Sequence, residues 1–119
     1  MSNLEITHAK DGGLNAMVIK PNGNLDIFTY QNFRQYLQDL LGSGEETRVV
    51  VDLADTAYIA SSGWAVLLSQ SRMLRRSGGK MVLCNMKDEI RGVYEVMNVE
   101  TLLPCAPAMD GVKKIFDEA

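Results

Sequence analysis

Two serines stand side by side in Ala60-Ser61-Ser62-Gly63, between an apolar strand-like run, Val49-Val50-Val51-Asp52-Leu53, and a helical run that begins near Trp64. At such a junction the first N–H groups of the helix lack partners, and the helix dipole presents its positive end. A serine there has two uses. It caps the helix by accepting a hydrogen bond from one of those N–H groups. Or it presents its hydroxyl at a helix end that tolerates a phosphate. These residues alone leave both uses open.

The other reactive side chains converge on nothing. The single histidine, His8, lies on the first strand-like segment and reads as a surface residue. Cys84 and Cys105 are far apart, among apolar residues or prolines, and read as two buried free thiols. Asp52 and Asp55 flank the serine junction and read as carboxylates that solvate turns rather than Mg²⁺ ligands. One histidine and two distant cysteines make no zinc constellation. No nucleophile elbow, GxGxxG loop or Walker A loop is present. With no convergent acid, base and nucleophile, the sequence points away from an enzyme and implies no metal and no cofactor. Weak binding of a nucleotide phosphate at the helix end is the one small-molecule reading left.

The elements that must position the serines follow from size and periodicity. The 119 residues are close to the commonest domain size, so a single domain over 1–119 is expected. Apolar residues make up 46% and charged residues 23%, an ordinary balance for one packed core. A net charge of −3 gives no electrostatic basis for binding nucleic acid or an anionic membrane. No apolar run approaches bilayer length, and Met1-Ser2-Asn3-Leu4-Glu5 does not open a signal peptide, so a cytoplasmic protein is expected. No large apolar stripe is left over, which favours a monomer.

Leu4, Ile6 and His8 alternate with polar residues, Asp11-Gly12-Gly13 marks a turn, and Leu14 to Lys20 reads as a second strand, giving an opening hairpin. Pro21-Asn22-Gly23-Asn24 ends it. A helix follows to Leu41, with Thr29 as its N-cap and Phe33, Tyr36, Leu37, Leu40 and Leu41 as its stripe. Arg48 to Leu53 is a strand buried on both faces. A helix runs from about Ser62 to Arg76 on an inner face of Trp64, Leu67, Leu68, Ser71 and Leu74. Lys80 to Cys84 is a second buried strand. Ile90, Val93, Tyr94 and Met97 mark another helix, Leu102-Leu103 a short final strand, and Pro107 the start of a last helix. The order predicts an α/β fold with a mixed, mostly parallel central sheet of four to five strands and about four helices. Right-handed crossovers put the strand at 48–53 near its centre and Ser61 at that strand's carboxyl end. On the serine-bearing helix, Val66 and Met73 fall opposite the Trp64 stripe, beside Ser62 and Ser69. They read either as a partner-docking patch or as the scattered apolar residues normal on any surface.

Taken in order, these segments resemble the STAS domains of the anti-sigma factor antagonist type. Gly23-Asn24-Leu25-Asp26 resembles the family's G-x-L-D element, and Tyr58-Ile59-Ala60-Ser61-Ser62-Gly63 its D-S-x-G loop. Gly79 to Asn85 is similar to the next strand, and Ile90 to Leu103 to the following helix and strand. The resemblance implies a partner switch. The unphosphorylated protein binds an anti-sigma factor that is also a serine protein kinase and so frees a sigma factor. Phosphorylation of Ser61 blocks binding, and a serine phosphatase reverses it. Asp26, Ala60, Ser61, Ser62, Gly63, Val66, Ser69 and Met73 are the expected partner-binding residues. Two positions depart from the pattern: Ala60 replaces the usual aspartate, and Trp64 follows the glycine in place of leucine. The alternative the family offers is a STAS subunit that is never phosphorylated and docks within a larger complex, such as a lipid-transport ABC ATPase or a stress-sensing scaffold.

Overall fold

The computed structural model describes residues 3–118. Five strands form one sheet in sequential order, from β1 (Glu5–Asp11) through β2 (Ala16–Asn22), β3 (Arg48–Asp52) and β4 (Lys80–Cys84) to β5 (Cys105–Ala106). The β1–β2 hairpin is antiparallel, with Asp11 opposite Ala16, and every later pairing is parallel. The connecting helices are α1 (Tyr30–Leu41), α2 (Ser61–Arg76) and α3 (Asp88–Met97), with a 3₁₀ turn (Met109–Gly111) leading into α4 (Val112–Asp117).

β3 shows why the centre of this sheet reads as an unbroken apolar run. Val49 and Val51 point to one face and Val50 to the other, and all three are fully buried. The first face packs under α1, α2 and α3 through Phe33, Leu37, Trp64, Leu67, Ile90 and Tyr94. The second is covered by α4, where Val112 meets Ala16, Val50, Val82 and Ala106, with Ile115 and Phe116 half-buried at the rim. Arg48 stacks on the Phe116 ring at 4.7 Å and reaches Asp117.

The mixed sheet and four α-helices agree with the sequence; several boundaries move. β2 runs on through Pro21 because its antiparallel pairing with β1 continues to Asn22, while pairing with β3 ends at Ile19 and the Pro21 carbonyl accepts the Thr56 hydroxyl. The final strand is Cys105–Ala106 rather than Leu102-Leu103. The Leu102 carbonyl accepts from Ser71 Oγ and Arg75 Nε, the Leu103 carbonyl accepts from Tyr94 Oη, and both amides turn back to the Val99 carbonyl, so no ladder forms there. The last helix starts at Val112 and not at Pro107, because Ala108 is still extended. On α3, Val93 is exposed instead of joining Ile90 and Tyr94 in the core. Cys84 is buried as expected and Cys105 only half so, and both are free thiols. His8 is exposed and hydrogen-bonds the Tyr36 hydroxyl.

Tyr94 is 3% exposed, and its hydroxyl donates to the Leu103 carbonyl at 2.8 Å. Tyr94→Phe strips that buried acceptor of its donor, and denaturant unfolding should show a loss of about 1–2 kcal/mol.

Candidate functional site

Ala60, not a serine, is the N-cap of α2: its backbone is extended, and its carbonyl accepts the Trp64 N–H at 3.0 Å. Ser61 and Ser62 therefore occupy the first two helical positions, which overturns the reading of either as the cap. An alanine has no side chain to offer the N–H groups of the first turn, so no side-chain cap bond forms. The two hydroxyls then part company. Ser61 is exposed, whereas Ser62 Oγ is buried and has no hydrogen-bond partner.

Two loops hold this helix end in place. Leu25 and Ile59 form an isolated parallel bridge, in which Leu25 N–H donates to the Tyr58 carbonyl at 3.1 Å and Ala60 N–H to the Leu25 carbonyl at 2.8 Å. The first turn of α2 sits directly on that bridge. A Cβ on Gly63 would lie 2.6 Å from the Leu25 carbonyl oxygen and 2.8 Å from the Leu25 Cβ. Gly63 is thus buried, and its contribution is the close approach it permits. Asp26 turns its carboxylate back into its own loop, where Oδ1 accepts the Phe28 N–H at 2.9 Å.

Around Ser61 the surface is apolar. A groove of about 460 Å³ runs between α2 and α3, lined by Tyr58, Ala60, Ser61, Trp64, Leu68 and Val93 among others, with no charged side chain. Across α2 a second groove of about 400 Å³ opens toward α1, where Ile27, Tyr30 and Arg34 face Ser62, Val66 and Ser69. Ala65 lies on the ridge between them. Ile27, Phe28, Tyr58 and Val93 are 69%, 78%, 55% and 47% exposed, a density of large apolar side chains that water disfavours.

The expected outward pair separates. Met73 is exposed two turns further along α2, but Val66 is 3% exposed, because α1 packs beside α2 and covers it. Ser69 stays exposed, its hydroxyl returned to the Val66 carbonyl. The sequence reading missed Ile27, Phe28, Tyr58 and Val93. The available signal was Ile27-Phe28, two large apolar residues directly after Asp26 in a loop.

Asp52 Oδ1 accepts from Ala54 N–H and Asn85 Nδ2, the turn-solvating role expected of it. Among the described residues no three or more His, Cys, Asp or Glu side chains gather as a metal site. Nor is any helix there long and apolar enough to cross a membrane. Burial, with the nearby Asp52 charge second, pushes the Cys84 thiol up to about 12.

Fold and surface together define a small α/β domain that presents a helix end and its apolar surroundings. The chain belongs to the STAS domain family, whose model matches residues 6–112. Among curated relatives, the BtrV protein of Bordetella bronchiseptica, by name a candidate anti-sigma factor antagonist, is 35% identical over 74 residues. That match takes in 62% of this chain and 64% of the relative's length. An anti-sigma factor antagonist of Mycobacterium paratuberculosis superposes with a TM-score of 0.84 at 16% identity, over 98% of this chain and 96% of the other. The Bacillus cell fate determinant SpoIIAA in its phosphorylated form superposes with a TM-score of 0.66 at 19% identity, over 97% and 99% of the two chains.

Two outcomes follow from the packing. Gly63→Ala forces a methyl against backbone and should lower unfolding stability by about 2 kcal/mol or more. Alkylation needs the thiolate, so native Cys84 should resist iodoacetamide at pH 8–9, conditions in which the same thiol in urea reacts.

Proposed function

We propose that this chain is an anti-sigma factor antagonist that works by partner switching. Unphosphorylated, it docks through the Ser61 end of α2 on an anti-sigma factor of the serine-kinase type, and the sigma factor is freed. A phosphate on Ser61 blocks docking, and a serine phosphatase resets the switch. On this reading the chain is a single STAS domain, a cytoplasmic monomer, and not an enzyme. The observation that carries the proposal is the exposed Ser61 hydroxyl on the first residue of α2, at the mouth of an uncharged apolar groove.

The physics supports a switch in binding rather than in fold. A phosphate brings about −1.5 to −2 charges near neutral pH. At Ser61 it meets the positive end of α2 and N–H groups that no side-chain cap occupies, so the folded domain accommodates it. A partner covering the groove must strip water from that phosphate without supplying a counter-charge from the groove itself, and this costs binding energy. Ser62 is the wrong acceptor, because its buried Oγ is out of a kinase's reach. The names of the relatives point the same way.

Ala60 favours one second reading. Without the family's aspartate beside the acceptor, the same surface would serve a STAS subunit that docks permanently in a larger complex, an ABC ATPase or a stress-sensing scaffold.

Peptide mass spectrometry of the protein from its own cells separates the two. Switching places a single phosphate on Ser61 in a fraction of molecules. Ser61→Asp should then weaken anti-sigma factor binding at least tenfold, about 1.4 kcal/mol, whereas Ser61→Ala should bind whether or not ATP is present. Equal affinity of Ser61→Asp and wild type overturns the switch. Absence of phosphate together with a stable co-purifying complex selects the docking subunit.

A further inference from the structure

We infer that Thr29 is a positioning residue for Ser61, acting through Leu25. The inference rests on the reading of Ser61 as the switch residue. Thr29 is 2% exposed and stands at the N-cap position of α1, yet its side chain makes no cap bond to that helix. The hydroxyl turns the other way. It donates to the Asn24 carbonyl at 2.7 Å and accepts the Asp26 N–H at 2.9 Å.

Those two groups belong to the residues on either side of Leu25, so one oxygen fixes the peptide planes that flank it. Leu25 passes the constraint on. Its N–H holds the Tyr58 carbonyl, its carbonyl holds the Ala60 N–H, and that same carbonyl is the surface on which Gly63 seats the first turn of α2. Ser61 lies between the last two contacts. Thr29 thus helps place the backbone that carries Ser61 from a different loop without touching it. The same turn, closed by Asp26 Oδ1 on the Phe28 N–H, presents Ile27 and Phe28 to solvent. Threonine suits this position because a donor and an acceptor are needed from one atom, in a space where the methyl is also buried.

Native-state hydrogen exchange tests the inference. Thr29→Val keeps the shape and removes the hydroxyl. It should speed exchange of the Leu25 and Ala60 amides by roughly tenfold or more, beyond any change at the β3 and β4 amides. Thr29→Ser, which restores the hydroxyl, should return both amides to wild-type rates. Ser71→Ala removes a comparable hydroxyl-to-carbonyl bond on the far side of α2 and should leave Leu25 and Ala60 unchanged relative to the sheet. If valine is not tolerated, Thr29→Ala makes the same deletion with less bulk. The inference is overturned if both amides keep their wild-type protection without the hydroxyl, or lose it only in step with the sheet. It is equally overturned if serine fails to restore them. Exchange needs neither partner nor phosphate, so its failure leaves the switch standing, and a failed Ser61→Asp experiment leaves the exchange result standing.

Discussion

The approach of α2 to the Leu25 carbonyl is the constraint on which the rest of this surface depends. A helix N-terminus meets backbone from another loop at a distance that excludes a methyl group at Gly63. The Leu25–Ile59 bridge then ties the β2–α1 and β3–α2 connections into one platform beyond the ordered end of the sheet. Loops at this edge of an α/β fold are ordinarily its most mobile parts. Here each is fastened to the other by backbone hydrogen bonds, and their lengths are fixed by strands paired in register beneath them. The apolar side chains the loops carry are thus presented from hydrogen-bonded backbone, which on the proposed function reduces the backbone ordering that docking requires.

On the proposed switch, that backbone clamp bears on how a charge at Ser61 acts. A floppy loop could bury or expose a phosphate by rearranging, and the signal would be conformational. A clamped helix end offers no such freedom. Its electrostatics favour an added anion while its neighbours, Tyr58, Trp64, Leu68 and Val93, favour an apolar contact. Two opposite preferences lie within one groove, and only a partner makes them conflict. On the proposed switch the conflict therefore falls at the interface rather than within the fold.

Much of this was legible in the sequence, and the exceptions share a cause. β4 has the boundaries its sequence implies and β3 differs by one residue, because an apolar run buried on both faces has few alternatives. The carboxyl-end placement of Ser61 followed from handedness. Val66 was misplaced because a helical period identifies the side of α2 that meets the sheet, not a second side that meets α1. The serine cap was misread because propensity favours serine over alanine there, whereas the Ala60 N–H is committed to Leu25, a residue 35 positions away. Leu102 and Leu103 failed as a strand because their carbonyls were claimed by Ser71, Arg75 and Tyr94. In each case a tertiary partner outbid a local preference.

The paired serines show how one step in sequence becomes a difference in kind. Consecutive helical residues are rotated by about 100°. From the N-terminus of a helix flanked by neighbours on both sides, that rotation carries Ser61 to the open groove and Ser62 toward α1. On the proposed switch, burial of Ser62 Oγ leaves the exposed Ser61 as the hydroxyl a kinase reaches. Ser62 shares the second groove with Tyr30 and Arg34, so on the proposed switch α1 shapes the surroundings of the serine that is not the acceptor.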